Sequence, residues 1–153
     1  MARRFRFRLQ KILDLRAAQE KTAAQALSVV NGQVRVLELK ITDLMVRRQN
    51  SFRQRDLAGN DWSALRSYDL YGQRLGLDIE KQEKLLAAKL IERDDKLALY
   101  VEARKKMKVL EKLSEKKLEE FQDEEEHREV LRLDDLNTAA FIRKMTPVED
   151  SLG

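Results

Sequence analysis

ALSVVNGQVRVLELKITDL, residues 26–44, decides the fold. Leu27, Val30, Val34, Leu37, Ile41 and Leu44 recur at alternating steps of three and four, which is the a/d seam of a coiled-coil helix. Carried backwards, the register passes through Ala23, Leu13 and Leu9, so a first helix is expected over about residues 3–57. Gly32 inside it costs about 1 kcal/mol relative to alanine, which the seam must offset.

AGND follows at residues 58–61. Gly59 suits the C′ position that ends a helix, and Asp61 suits the N-cap of the next. A second helix is expected over about residues 62–144, with Pro147 past its end and a short flexible tail over 146–153. Leu65, Tyr68, Leu75, Ile79, Gln82, Leu86, Tyr100, Ala103, Met107, Leu110 and Phe121 share one heptad frame. Lys89, Arg93 and Lys96 interrupt it beside Leu90, Leu97 and Val101, so the apolar stripe is expected to drift there.

The fold class expected is all-α: a long two-helix antiparallel coiled-coil hairpin in a single domain spanning residues 1–153. At 1.5 Å per residue the helices would be roughly 80 and 125 Å long. Residue i would then face roughly residue 119 − i, placing Leu9 near Leu110 and Met1 near Leu118. From about residue 119 the second helix would overhang, still carrying Val130, Leu131, Leu133, Leu136, Phe141 and Ile142. That face is open to two readings, a partner-docking surface or a solvated, frayed end.

Composition agrees with long helices. Of 153 residues, 38 % are charged and 6 % aromatic, with one proline and no cysteine. The absence of cysteine excludes disulfides and thiolate metal sites and is compatible with a reducing cytosol. Thirty-one basic residues face 27 acidic ones, and a net charge of +4 is not the imbalance of a strong nucleic-acid binder. No apolar run reaches the ~18 residues of a membrane span. Arg3 and Arg4 could open a twin-arginine signal, but Gln10, Lys11, Asp14 and Arg16 break the apolar region it needs, so the chain is expected to be soluble and mature from its start.

ARRFRFRLQKILDLR, residues 2–16, carries two periods at once. Phe5, Phe7 and Leu9 alternate with Arg4, Arg6 and Arg8 as on a strand, whereas Leu9, Ile12, Leu13 and Arg16 are spaced as on a helix. With no second strand to pair with, the stretch is expected to open the first helix, although its first few residues could be extended. Phe7 then either sits on an outer binding face among arginines or precedes the helix as a staple. The arginines oppose the macrodipole at that end, as do Glu119, Glu120, Asp123, Glu124, Glu125 and Glu126 toward the other terminus. Cross-helix attraction between the two sets is the expected compensation.

Enzymatic chemistry has no foothold in the sequence. His127 stands alone in an acidic run, DEEE at 123–126 lacks the pattern of a calcium loop, and there is no phosphate-binding loop, dinucleotide fingerprint or nucleophile elbow. No cofactor, metal or catalytic residue is expected.

FRFRLQKILDLR (5–16), two long helices with a short turn, YDLYGQRLGLDIEKQ (68–82), LEKLSEKKLEEF (110–121) and EHREVLRLDDL (126–136) together resemble the FliJ family of flagellar export proteins. The resemblance implies a non-enzymatic component of the type III export machinery, similar to the central stalk of rotary ATPases. It would be cytoplasmic, peripheral to the inner face of the cell membrane at the flagellar base, and a monomer when isolated.

The implied partners are the export ATPase hexamer, whose assembly and activity it would promote, the export-gate membrane protein and the chaperones of late substrates. Carried onto this chain, Phe5, Phe7, Arg8, Leu9, Glu126, Glu129, Asp134 and Asp135 would face the ATPase ring, and Phe52, Tyr71, Leu75 and Gln82 the gate. Asp135 stands where the family's ending has glutamate, and Arg48 where an apolar or aromatic residue is expected near the turn. Two other readings of the residues are a homodimerising structural coiled coil and a basic helical nucleic-acid binder.

Overall fold

The computed structural model describes residues 3–145. It is all-α, with α1 spanning Gln10–Leu57 and a longer α2 spanning Trp62–Met145. The expected tail at 146–153 with Pro147, and the expected pairing of Met1 with Leu118, lie outside the described residues.

Contacts divide the chain into two compact units. Leu15–Lys106 forms one of them and holds the hairpin. Val30, Val34 and Ile41 from α1 and Leu75 and Ile79 from α2 are its buried apolar core, each at or below 8 % exposure. The turn is built as its residues require. Gly59 has φ of 63°, the left-handed region open to glycine at little cost. Asp61 Oδ1 accepts the Ala64 backbone N–H at 3.2 Å, capping α2. Ser51, buried on the seam, donates from Oγ to the Tyr68 carbonyl at 3.4 Å, which is the pairing given by the 119 − i register.

Lys89, Arg93 and Lys96 do not divert the seam. All three are only partly exposed, and the frame continues through them to Tyr100 and Ala103. Of the residues to which a drifting stripe would move, Leu90 is partly buried beside Lys89, whereas Leu97 and Val101 are 44 % and 40 % exposed. Long cationic side chains explain the difference, because their methylene stems cover apolar surface while the heads reach water. Lys89 Nζ, for example, meets Glu92 at 3.0 Å.

The second unit joins the chain before Leu15 to the part of α2 after Lys106. Here the expected helix start near residue 3 is corrected: α1 begins at Gln10, and residues 3–9 form neither helix nor sheet. Phe5, Phe7 and Leu9 are partly buried while Arg4, Arg6 and Arg8 are exposed, the alternation of an extended chain laid on a helix. The strand-like period therefore describes the real backbone.

Extension also moves the register. A helical start would set Phe5 opposite residue 114, but its ring lies 5.6 Å from that of Phe121. Leu9 shares a groove with Leu113. An extended residue covers about 3.3 Å against about 1.5 Å for a helical one, so the arm reaches further along α2 than a helical start would. The uncovered part of α2 consequently begins near Glu126 rather than 119, and every position from Glu126 to Met145 is exposed.

Candidate partner-binding surfaces

The N-terminal arm is held by its apolar side. Phe5 tilts 49° against Phe121, and Phe7 and Leu9 follow at alternate positions over Leu113 and Lys117. A groove of about 530 Å³ runs along this contact. The Gln10 N–H donates to the Phe7 carbonyl at 3.1 Å and the Leu13 N–H to the Leu9 carbonyl at 2.9 Å, so the chain turns into α1 immediately after Phe7. Phe7 precedes the helix, as the staple reading expects, but it lies in the groove with Leu113 and Lys117 of α2 instead of folding back on the first turn of α1.

The expected attraction between the arginines and the acidic run is not formed. Among the described residues Arg4, Arg6 and Arg8 make no ion pair. The acidic side chains turn instead to cations one turn away on α2: Glu120 to Lys117 at 3.3 Å, Glu125 to Arg128 at 3.8 Å and Glu129 to Arg132 at 2.8 Å. Neighbours three apart on one helix need little side-chain ordering to meet, whereas Arg4, Arg6 and Arg8 line the same groove as Glu120 and Glu124 without coming within ion-pair distance of them. Arg132 donates from Nε and Nη2 to the two oxygens of Glu129 at 3.1 and 2.8 Å. These hydrogen bonds, and then the guanidinium charge, hold the Glu129 carboxyl below the ordinary glutamate range.

Of the residues carried over for ring contact, Phe5, Phe7 and Leu9 are thus inward-facing and Arg8 is exposed. Glu126, Asp134 and Asp135 are exposed on α2, in the same stretch as Val130, Leu131, Leu133 and Leu136, each about half exposed. His127 is exposed among them.

The residues carried over for the gate separate into three environments. Phe52 is 46 % exposed, lies under the Arg48 guanidinium at 5.5 Å and stands 3.5 Å from the place a Cβ of residue 72 would take. Arg48, out of pattern by the resemblance, thus covers the aromatic face as a cation–π partner. Tyr71 is exposed with Leu70 and Arg74, in a shallow depression that shares no residue with that of Phe52. Leu75 is 4 % exposed, which corrects its placement on a surface: it is seam. Gln82 is partly buried, and its Oε1 is buried without a hydrogen-bond partner. Near the turn, Arg55 bonds Asp69 across the helices at 2.6 Å.

A feature that the sequence reading passed over is an apolar groove of about 700 Å³ on one flank of the hairpin, walled by Val29, Val36 and Leu85 and opened by Gly32 and Ala88. The signal was present: each wall residue sits one position before a seam residue. No helix among the described residues is long and apolar enough to cross a membrane.

In comparison with protein families, residues 5–146 match a family model described as flagellar FliJ protein. No curated protein and no solved structure matches the chain.

Proposed function

The chain belongs to the FliJ family, components of the flagellar export apparatus with a structural rather than catalytic part in it, and from that premise we propose that it binds the export ATPase ring through the unit holding its N-terminal arm and the end of α2. The observation that carries the reading is the pairing of two unsatisfied features in that unit. Arg4, Arg6 and Arg8 are exposed and have no ion-pair partner among the described residues, and an exposed helical stretch presents Val130, Leu133 and Leu136 beside Glu126, Asp134 and Asp135. Arginines and a half-apolar helix face are features of protein interfaces.

The mechanism is linkage. A ligand that binds the assembled ring tenfold more tightly than the loose subunits shifts assembly by about 1.4 kcal/mol without touching the chemistry. Phe52 with Arg48, and separately Tyr71, are the surfaces offered to the export gate, with Gln82 at their margin and Leu75 as the packing behind them. On the same proposal the chain acts at the cytoplasmic side of the flagellar base, is a monomer when isolated and has late-substrate chaperones as further partners.

Removal of residues 126–153 followed by assay of a purified export ATPase tests the reading. Loss of stimulated hydrolysis is expected; full stimulation by the shortened chain would overturn the assignment of this unit.

A further inference from the structure

We infer that the N-terminal arm is recognised by strand addition: residues 4–8 accept the edge strand of an acidic protein partner along the side of the arm that carries the arginine backbone groups. The inference rests on the ATPase reading for the identity of that partner and goes beyond it in the mode of contact.

Three observations lead to it. First, the alternation of exposure from Arg4 to Phe7, ahead of the turn at Arg8 and Leu9, marks an extended backbone, and the Phe5, Phe7 and Leu9 side chains are spent on α2. In an extended chain the N–H and C=O of one residue point to one edge and those of the next to the other. The Arg4 and Arg6 groups therefore share an edge, and Phe5 and Phe7 share the opposite one.

Second, the two edges are not equally free. The Phe7 carbonyl is taken by Gln10, whereas no backbone hydrogen bond engages Arg4, Arg6 or Arg8 among the described residues. An edge with unpaired donors and acceptors is a template for another strand.

Third, the arginine side chains above that edge make no ion pair among the described residues, although Glu120 and Glu124 line the same groove. Spaced two apart, they stand where carboxylates on alternate positions of an added strand would meet them as cross-strand pairs. An edge without hydrogen-bond partners and arginines without an ion pair thus call for the same partner, an edge strand with alternating Asp or Glu. A nucleic acid would use the charges but not the edge.

The test uses the full chain and the purified export ATPase. Arg6→Pro removes one edge N–H and asks Phe5 for an extended conformation, which it already has, so the free chain keeps its helicity. Arg6→Gln removes the charge and keeps the N–H. Strand addition predicts that Arg6→Gln weakens the complex a few-fold and Arg6→Pro at least about tenfold, more than one lost charge pair at a surface accounts for.

Amide exchange resolved by residue should show about 100-fold slowing at Arg6 and Arg8 on complex formation, with Phe5 and Phe7 still fast. Equal effects of the two substitutions, protection at consecutive amides as in a lengthened helix, or no protection in a complex that does form would overturn strand addition alone. Displacement of the ATPase by single-stranded DNA of random sequence would do the same. Absence of any complex with the wild-type chain would overturn the functional reading and this inference with it.

Discussion

Replacing Gln82 by leucine should stabilise the hairpin. Gln82 occupies a seam position between Ile79, 5 % exposed, and Leu86, and by register it faces α1 around Leu37. Its Oε1 is buried with no donor. A buried acceptor left unpaired costs about 1–3 kcal/mol, and a leucine of similar volume removes that cost. Repacking a branched side chain into the slot of a straight one takes back less than about 1.5 kcal/mol. The net expectation is a gain of about 1–2 kcal/mol, or about 2–8 °C in Tm for a chain of this length.

The assay is urea unfolding followed by circular dichroism at 222 nm, with a higher midpoint at unchanged slope. Because contacts fall into two units, more than one transition can occur, and only that of Leu15–Lys106 should move. A midpoint unchanged or lowered at constant slope would refute the argument that the amide is an unsatisfied seam residue. If the amide is kept for the gate, the stabilised variant should also bind the gate protein less tightly, the usual direction of a stability–function exchange.

Gly32→Ala should add about 1 kcal/mol, since an added Cβ meets nothing within 4 Å; chemical denaturation reads it directly. Gly59→Ala should remove about 1 kcal/mol, because φ of 63° burdens any Cβ; the same titration checks the opposite sign. Phe121→Ala should free the arm, so that a fluorophore on residue 3 gains rotational freedom while overall helix content changes little. Glu129 has its carboxyl depressed by Arg132, so the pair's contribution is whole above the ordinary glutamate pKa and disappears as pH falls through the depressed value; in low salt the wild-type helix should lose more ellipticity on acidification than Glu129→Gln.

The helices were legible because their signal is periodic and repeated. One seam frame, read from Leu27 to Leu44, extends in both directions, and the turn carries two residues whose backbone roles are specific, Gly59 and Asp61. Two departures share one origin, a weighing of residue type above position. Lys89, Arg93 and Lys96 look like breaks because they are cationic, yet a seam position asks only that the stem be apolar. Leu75 was read as a surface residue through the resemblance although it stands in the heptad frame, and the frame gives its true place.

The arm shows why the candidate surfaces were harder to read than the fold. Its strand period was visible, and was set aside because an isolated strand is unstable. That rule concerns a strand without a surface to bury its apolar side. Here α2 supplies the surface, through Phe121 and Leu113, so one face of the extended segment is paired with a helix rather than with a sheet. The arrangement covers the aromatic residues that a motif search would select for binding and leaves outward the arginines and main-chain edge that it would overlook. Binding capacity in such a chain follows from what packing has not used, and that remainder becomes defined only when the fold is known.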